Sequence, residues 1–534
     1  MTRSTDVTTT VDKTTSTDLA SVPLLVPASL LDWLCKTFAD DTLEVTRFRK
    51  LAGGAIQQNI ALSLSLDRGR VNRSLVLRTD APSGVDVSLS RAEEHAVLAA
   101  ACSAGVTVPA PVASCKDETV LGAPFFLMER VTGTTHPVQL TRDETLDDAK
   151  RSSLLSQLGV ELARIHAIPL DDPSLAFLVD RAAVGKATDE ACSHSQADSQ
   201  TDSQAVPQVV AKGVLVQRIE HYRSLLDALG QTRPALEWVL AWLERRSIVS
   251  TPAVLCHNDF RTGNLMIDGV RLTGVLDWEF AAVGDRHEDI GWFCAPCWRF
   301  ARRDRPAGGL GSRKDFYRGY TSVAGLDIDA KAVEVWEIVA TLRWAIIALQ
   351  QGVRFTSGNE ATLELALTGR MIAELEQDLL DQVEAFDATI DAPIEADPDG
   401  IDNQSPLSDI LLRPTVDSPA ALDLLAAARA LMRDDIVTEL PPDLRYRGLM
   451  IVNALGIAHR EMAQGEATQG QVLVSLDASA DCSAASTANS QATVRQHFRG
   501  LGDAALRAPS LLDRLREDVD RRLSVTRPGR LDGR

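Results

Sequence analysis

The stretch Leu255–Phe280, LCHNDFRTGNLMIDGVRLTGVLDWEF, sets a histidine, carboxylates and asparagines on a background that alternates as strand, turn and strand. Two readings compete. As a plain hairpin, Asn258, Gly263 and Asn264 are turn formers and Asp277 ends a strand. As a site, Asp259 and Asn264 share one loop and the next strand delivers Asp277, so three oxygen-bearing side chains meet at one edge. Hard oxygen donors of this kind suit Mg2+, which keeps several waters and takes further ligands from substrate phosphates. Phosphoryl transfer asks for this set: one Asp to accept the proton of an attacking hydroxyl, and an Asn and an Asp to hold the metal.

The rest of the chain sets the limits. At 534 residues it exceeds one ordinary core of about 100–200 residues and reads as several units. Hydrophobic content of 45% and charged content of 24% are those of a globular protein, with any disorder local. The formal net charge of −19, with no long basic run, argues against nucleic acid and anionic membrane as partners. The eight cysteines are scattered, mostly in apolar segments, which fits a reducing compartment. The first residues lack a signal-like apolar core, and Glu337 and Arg343 interrupt the most apolar helical run, so a cytoplasmic location is expected.

Periodicity divides the chain. A Thr/Ser-rich tail covers 1–22. The segment 23–130 carries a helix near Leu30–Phe38, strand alternation over 44–80, a helix over 88–104 and two short strands around Lys116–Glu118. Over 131–390 helices dominate, at 147–167, 214–229, 234–247, 328–351 and 358–386, with a polar insertion at 187–208. A Pro/Asp/Gly linker at 391–414 precedes a helical accessory domain at 415–534, in which 417–440, 444–465 and 509–526 are amphipathic. That domain reads as a packing, self-association or partner-docking element.

HNDFRTGN followed by VLDWEF resembles the catalytic loop and metal-binding segment of aminoglycoside phosphotransferase-like kinases. VLGAPFFLMERVTGTT (120–135) resembles the branch of that family fused to acyl-CoA dehydrogenases. The resemblance implies an α+β fold, a bilobal protein-kinase-like fold with a small antiparallel-sheet N-lobe and a mostly helical C-lobe, followed by the all-helical domain. It implies ATP and Mg2+, with Asp259 as catalytic base, Asn264 and Asp277 as metal ligands, and His257 as structural. VGDRHEDIG (283–291) resembles the family's G-D-P-x-x-D-L, which gives Asp289 the task of bracing the catalytic loop from a helix start. Its plain alternative is a helix cap.

On the nucleotide side, Gly53 and Gly54 fall where the family covers phosphates with backbone N–H groups, although GGAIQQN lacks the usual hydroxyl. Arg78 stands where a kinase has its phosphate-contacting lysine; Glu94 matches the helix glutamate that orients that cation, with Glu93 as fallback. The backbone at Glu129 and Val131 would meet an adenine edge, and Met128 would line the base pocket. Glu279 stays open between a group beside the metal and a helix-facing charge. The implied reaction moves a phosphoryl group from ATP to a hydroxyl of a small molecule of aminoglycoside, amino alcohol, sugar or hydroxyacyl-CoA type. The alternative is a degenerate kinase-like nucleotide-binding or scaffold protein. WFCAPCW (292–298) resembles a redox Cys-x-x-Cys, but no thioredoxin-like scaffold surrounds it, and paired buried thiols are the competing reading.

Overall fold

A computed structural model describes residues 25–51, 57–80, 88–182, 213–231, 233–246, 251–358, 362–389 and parts of 450–457 and 495–527. The expected tail, the Gly53–Gly54 loop, the 187–208 insertion, the 391–414 linker and the helix at 417–440 lie outside the described residues. The chain divides into two compact units. One takes its described residues from 1–86 and 111–130, the other from 87–110 and from 131 onward.

In the first unit, helix α1 (Ala28–Phe38) precedes strands β1 (Glu44–Lys50), β2 (Gln57–Leu66) and β3 (Val71–Asp80). β2 alternates so that Ile60, Leu62, Leu64 and Leu66 are buried, the period of a half-covered strand. Its partner β3 buries a continuous run from Leu75 to Thr79. Strands β4 (Pro111–Cys115) and β5 (Phe125–Glu129), joined by the short helix α3 (Glu118–Leu121), complete an antiparallel sheet of order β1-β2-β3-β5-β4. Leu30 and Leu34 of α1 close its core against Leu62, Leu75, Leu77, Phe125 and Leu127. The segment expected as a plain turn at Lys116–Glu118 instead starts α3, because the Asp117 carboxylate accepts the Thr119 N–H as an N-cap.

The second unit begins with α2 (Arg91–Ser103), where Ser90 and Glu93 form a reciprocal capping box. Although α2 lies within the stretch read as N-lobe, the Leu89 N–H donates to the Glu279 carbonyl at 2.8 Å and the Thr107 N–H to Glu161 at 2.7 Å, so it groups with the helical unit. Helices α4 (Pro137–Arg142), α5 (Asp148–His166), α6 (Val214–Leu229) and α7 (Pro234–Glu244) follow. Next come strands β6 (Val254–Cys256), β7 (Leu265–Asp268), β8 (Arg271–Val275) and β9 (Ala282–Gly284), then helices α8 (Arg286–Cys294), α9 (Arg313–Ala324) and α10 (Ala330–Thr356). The helix expected over 358–386 is two helices, α11 (Leu363–Gly369) and α12 (Ile372–Ala388).

The last described helix, α13 (Pro509–Thr526), belongs to the main core of this unit. Leu511, Leu515, Val519 and Leu523 are buried with Trp238, Leu379 and Phe386, and the Trp238 indole donates to the Leu506 carbonyl at 2.9 Å. Arg522 reaches the fully buried Glu376 at 2.5 Å, and Arg516 reaches Asp381 at 2.7 Å. The C-terminal segment is therefore packed into the helical unit through both its apolar stripe and its charges.

Candidate active site

The loop 257–264 leaves β6 and returns into β7, and each turn of it has a local cause. Asn258 takes a left-handed backbone at φ 60°, which asparagine tolerates better than most residues, and its side chain donates to the Phe280 carbonyl at 3.1 Å. Residues Thr262–Asn264 form a 3-10 turn that feeds β7. β7 and β8 then run as a hairpin, and Leu276 stitches the two motifs together. Its N–H donates to the Asn264 carbonyl at 2.9 Å, and its carbonyl receives His257 Nε2 at 3.1 Å. The next residue, Asp277, is also left-handed at φ 71° and stays partly exposed. An aspartate held in that conformation is a local strain of the kind found at functional turns.

Asp259 is buried and gripped from three sides. Asn264 Nδ2 donates to Oδ2 at 2.6 Å, Arg261 Nε to Oδ1 and Oδ2 at 3.0 and 3.2 Å, and the Trp292 indole to Oδ1 at 3.0 Å. Burial opposes the charge on Arg261, but Asp259 and then Asp277 outweigh it and hold the guanidinium above its ordinary range. Both carboxylates therefore act on one cation. Because Asn264 spends its NH2 on Asp259, its amide oxygen is left as an acceptor. With the Asp277 carboxylate it offers the hard oxygen donors that Mg2+ takes, so the residues fit that ion.

Behind the loop stands Asp289, fully buried. Its Oδ1 accepts the Asn258 N–H at 2.7 Å and its Oδ2 the His257 N–H at 2.6 Å, while His166 Nε2 lies 3.2 Å from Oδ2. The cap of α8 is Asp285, not Asp289, which settles the choice left open by the sequence in favour of a brace. Burial alone pushes the Asp289 carboxyl up; the hydrogen bond and charge of His166 outweigh it and hold the group below its ordinary value. His166, Cys256 and Asp289 lie close enough to ligate a metal, yet the Asp289 oxygens are already committed to the loop.

Glu94 is buried and paired with Arg91, and Arg91 also lies 3.9 Å from the buried Glu279. Glu279 thus belongs to a buried ion cluster that ties the segment after Asp277 to α2. Glu93 is engaged by the capping box and by Arg181 at 3.0 Å. In the strand unit, Arg78 is buried on β3 opposite Asn59, with Nη1 3.5 Å from the Asn59 amide oxygen. Met128 and Glu129 end β5, and the Glu129 side chain is bound by Arg73. Val131 belongs to the helical unit, with Glu94, Asp259, Asn264 and Asp277. Gly53 and Gly54 lie outside the described residues.

Residues 47–326, more than half of the 534, match the family described as the phosphotransferase enzyme family. The chain belongs to the phosphotransferase enzyme family. Residues 438–530 match a domain of unknown function, DUF6285. The chain is 25% identical over 346 residues to acyl-CoA dehydrogenase family member 10 of Mus musculus, covering 59% of this chain and 29% of that protein. It is 24% identical over 274 residues to acyl-CoA dehydrogenase family member 11 of Homo sapiens, covering 48% and 31%. It thus spans less than a third of these curated relatives. Among solved structures it resembles a putative aminoglycoside phosphotransferase from Ralstonia eutropha JMP134, with 18% identity, 67% of this chain and 98% of that one covered, and a TM-score of 0.48. It also resembles an aminoglycoside phosphotransferase in ternary complex with AMP-PNP and hygromycin B, with 16% identity, coverage of 67% and 99%, and a TM-score of 0.37.

This member of the phosphotransferase enzyme family has an α+β architecture, an antiparallel-sheet unit and a mostly helical unit. Among its described residues no helix is long and apolar enough to cross a membrane. The two thiols of the Cys-x-x-Cys are held toward their protonated form. Cys294 is buried and burial pushes its thiol up to about 12, Cys297 is raised by the same cause, and both are free. Sequence reasoning missed Arg261, Trp292 and His166. Arg261 lies inside the quoted motif and was open to notice as a cation beside Asp259. Trp292 and His166 reach the site from other helices, and no local spacing announces them.

Proposed function

We propose that this enzyme transfers the γ-phosphoryl group of ATP to a hydroxyl of a small molecule, with Asp259 as the base and Asn264 and Asp277 as the residues that would hold Mg2+. The observation that carries the reading is the 2.6 Å hydrogen bond from Asn264 Nδ2 to Asp259 Oδ2. It orients the carboxylate and at the same time turns the amide oxygen of Asn264 into a donor atom for a cation. Asp259 then accepts the proton of the attacking hydroxyl while Arg261, Asn264 and Trp292 keep its oxygens in place, and Asp289 keeps the loop backbone in place. When bound, Mg2+ supplies charge neutralisation at the phosphate oxygens.

Arg78 steadies the phosphates in this reading, supported by its burial beside Asn59 at the end of the GGAIQQN loop. Gly53 and Gly54 would cover them, Glu94 would orient the cation, and Met128, Glu129 and Val131 would meet the base. The acceptor is a small hydroxyl compound of aminoglycoside, amino alcohol, sugar or hydroxyacyl-CoA type, the last in keeping with the names of the curated relatives. Titration calorimetry of the full chain with Mg-ATP tests the metal assignment. Wild type binds and Asp277→Ala binds at least tenfold more weakly; equal affinities remove Asp277 from the metal site. Binding without any turnover supports the scaffold alternative instead.

A further inference from the structure

The oxygens of Asp259 are not equivalent. An ionised carboxylate offers about four lone-pair sites. Oδ1 receives the Trp292 indole N–H and the shorter branch of the Arg261 bond, both at 3.0 Å, so its two sites are filled. Oδ2 receives Asn264 at 2.6 Å and the longer Arg261 branch at 3.2 Å, so the two oxygens are held by different partners, Trp292 on Oδ1 and Asn264 on Oδ2. We propose that Trp292 is a positioning residue for phosphoryl transfer, whose indole N–H on Oδ1 fixes the orientation of the Asp259 carboxylate that takes the proton of the acceptor hydroxyl. The proposal rests on the reading of Asp259 as the base.

Everything around Trp292 fixes that N–H. The residue is 3% exposed and sits on α8 three positions after Asp289, so one face of one helix braces the catalytic loop twice: Asp289 holds its backbone and Trp292 its reacting side chain. The guanidinium of Arg343 on α10 lies over the indole, 4.3 Å from its centre, and its Nη1 donates to the Asn258 carbonyl at 2.8 Å. The Trp298 ring packs against Trp292 with centroids 5.1 Å apart, and Arg261 lies over Trp298 at 4.8 Å. The two aromatic rings and two guanidinium groups thus form one wall that ends on Asp259. Gly291 allows α8 to come this close to α10, since a Cβ there would stand 2.6 Å from the Trp336 backbone.

Removing the N–H frees a site on Oδ1 and lets the carboxylate turn, so proton acceptance is spread over a wrong geometry while nucleotide binding is untouched. The test is single-turnover ADP release from Mg-ATP with water as the acceptor, in the full chain. Trp292→Phe keeps a ring and loses the donor; the rate falls tenfold or more and KM for Mg-ATP stays within twofold. Replacing Trp292 by 3-benzothienylalanine, which has sulfur in place of N–H at nearly unchanged shape, gives the same loss should the Phe variant unfold. In the Asp259→Asn background Trp292→Phe has no further effect, because both changes act on one carboxylate. Wild-type rates for the isostere, or an equal loss in the Asp259→Asn background, overturn the proposal while leaving the base in place. Full turnover by Asp259→Asn alone overturns the base assignment and this proposal with it.

Discussion

Replacing Asp289 by asparagine perturbs the point on which the loop 257–264 hangs. The wild-type carboxylate accepts two backbone N–H groups, from His257 and Asn258 at 2.6 and 2.7 Å, with His166 at 3.2 Å, and none of this is reached by solvent. The amide keeps one acceptor oxygen and sets its own NH2 against the other backbone donor. Each hydrogen bond to a charged acceptor contributes about 1.5–3 kcal/mol, and a buried donor left unpaired costs about 1–3 kcal/mol. Losing one such bond and weakening a second gives a destabilisation of about 3 kcal/mol. If half of that is local disorder of the loop, turnover falls about tenfold.

Urea unfolding followed by tryptophan fluorescence reads the first effect and ADP release the second. The pH dependence carries a sign. The Asp289 carboxyl is held below 3.8 in the folded protein, so its stabilisation is present above that value and is lost as pH falls through the folded value. The gap between wild type and Asp289→Asn therefore narrows below pH 4 and is widest near neutrality. A change under about 1 kcal/mol at pH 7, or a gap that widens with acid, refutes the brace.

Other consequences are as direct. With burial pushing the Cys294 thiol up to about 12, the thiolate fraction at pH 8 is on the order of one in ten thousand, so iodoacetamide leaves the native Cys294 unmodified for hours and labels the denatured chain in minutes. Fast native labelling, or a Cys294–Cys297 disulfide under mild oxidation, would restore the redox reading. Glu337→Leu removes the buried carboxylate that receives Arg299 at 3.1 Å and Arg313 at 2.5 Å, the two ends of the segment whose Gly308 carbonyl accepts the Thr262 hydroxyl at 2.6 Å. The loss expected in denaturant titration is about 3–5 kcal/mol, and a neutral outcome would show that the clamp does not matter. Leu515→Ala, at 1% exposure in the core shared with Phe386, costs about 2–4 kcal/mol in the same assay. An unchanged midpoint would mark α13 as peripheral.

Much of the architecture was legible because its signals are local. The alternation at Ile60, Leu62 and Leu64 gives β2, and the helices at 214–229 and 509–526 begin and end where apolar spacing and flanking residues put them. Asp259 and Asn264 meet because they share one short loop, which spacing alone can express. The segment around Lys116 was harder, since the N-cap role of Asp117 competes with the turn preferences of the same residues. What sequence does not express is convergence from distant elements. His166 on α5 meets Asp289 on α8 across 123 positions, and Thr262 meets Gly308 across 46 where two turns meet. At Gly308 the need is visible only in space: its φ is 59°, and a Cβ would stand 2.4 Å from the Phe293 ring. Trp292 was masked in another way, because the cysteines that follow it drew the motif toward thiol chemistry.

In the proposed reaction Asp259 serves as the base for phosphoryl transfer from ATP to a hydroxyl. Incubating the full chain with γ-labelled ATP, Mg2+ and a metabolite extract, then separating the products, tests it most directly. Wild type produces a labelled phosphate ester that Asp259→Asn fails to make. A wild type that transfers no label to any acceptor, or an Asp259→Asn variant that transfers it equally well, removes Asp259 from the role of base.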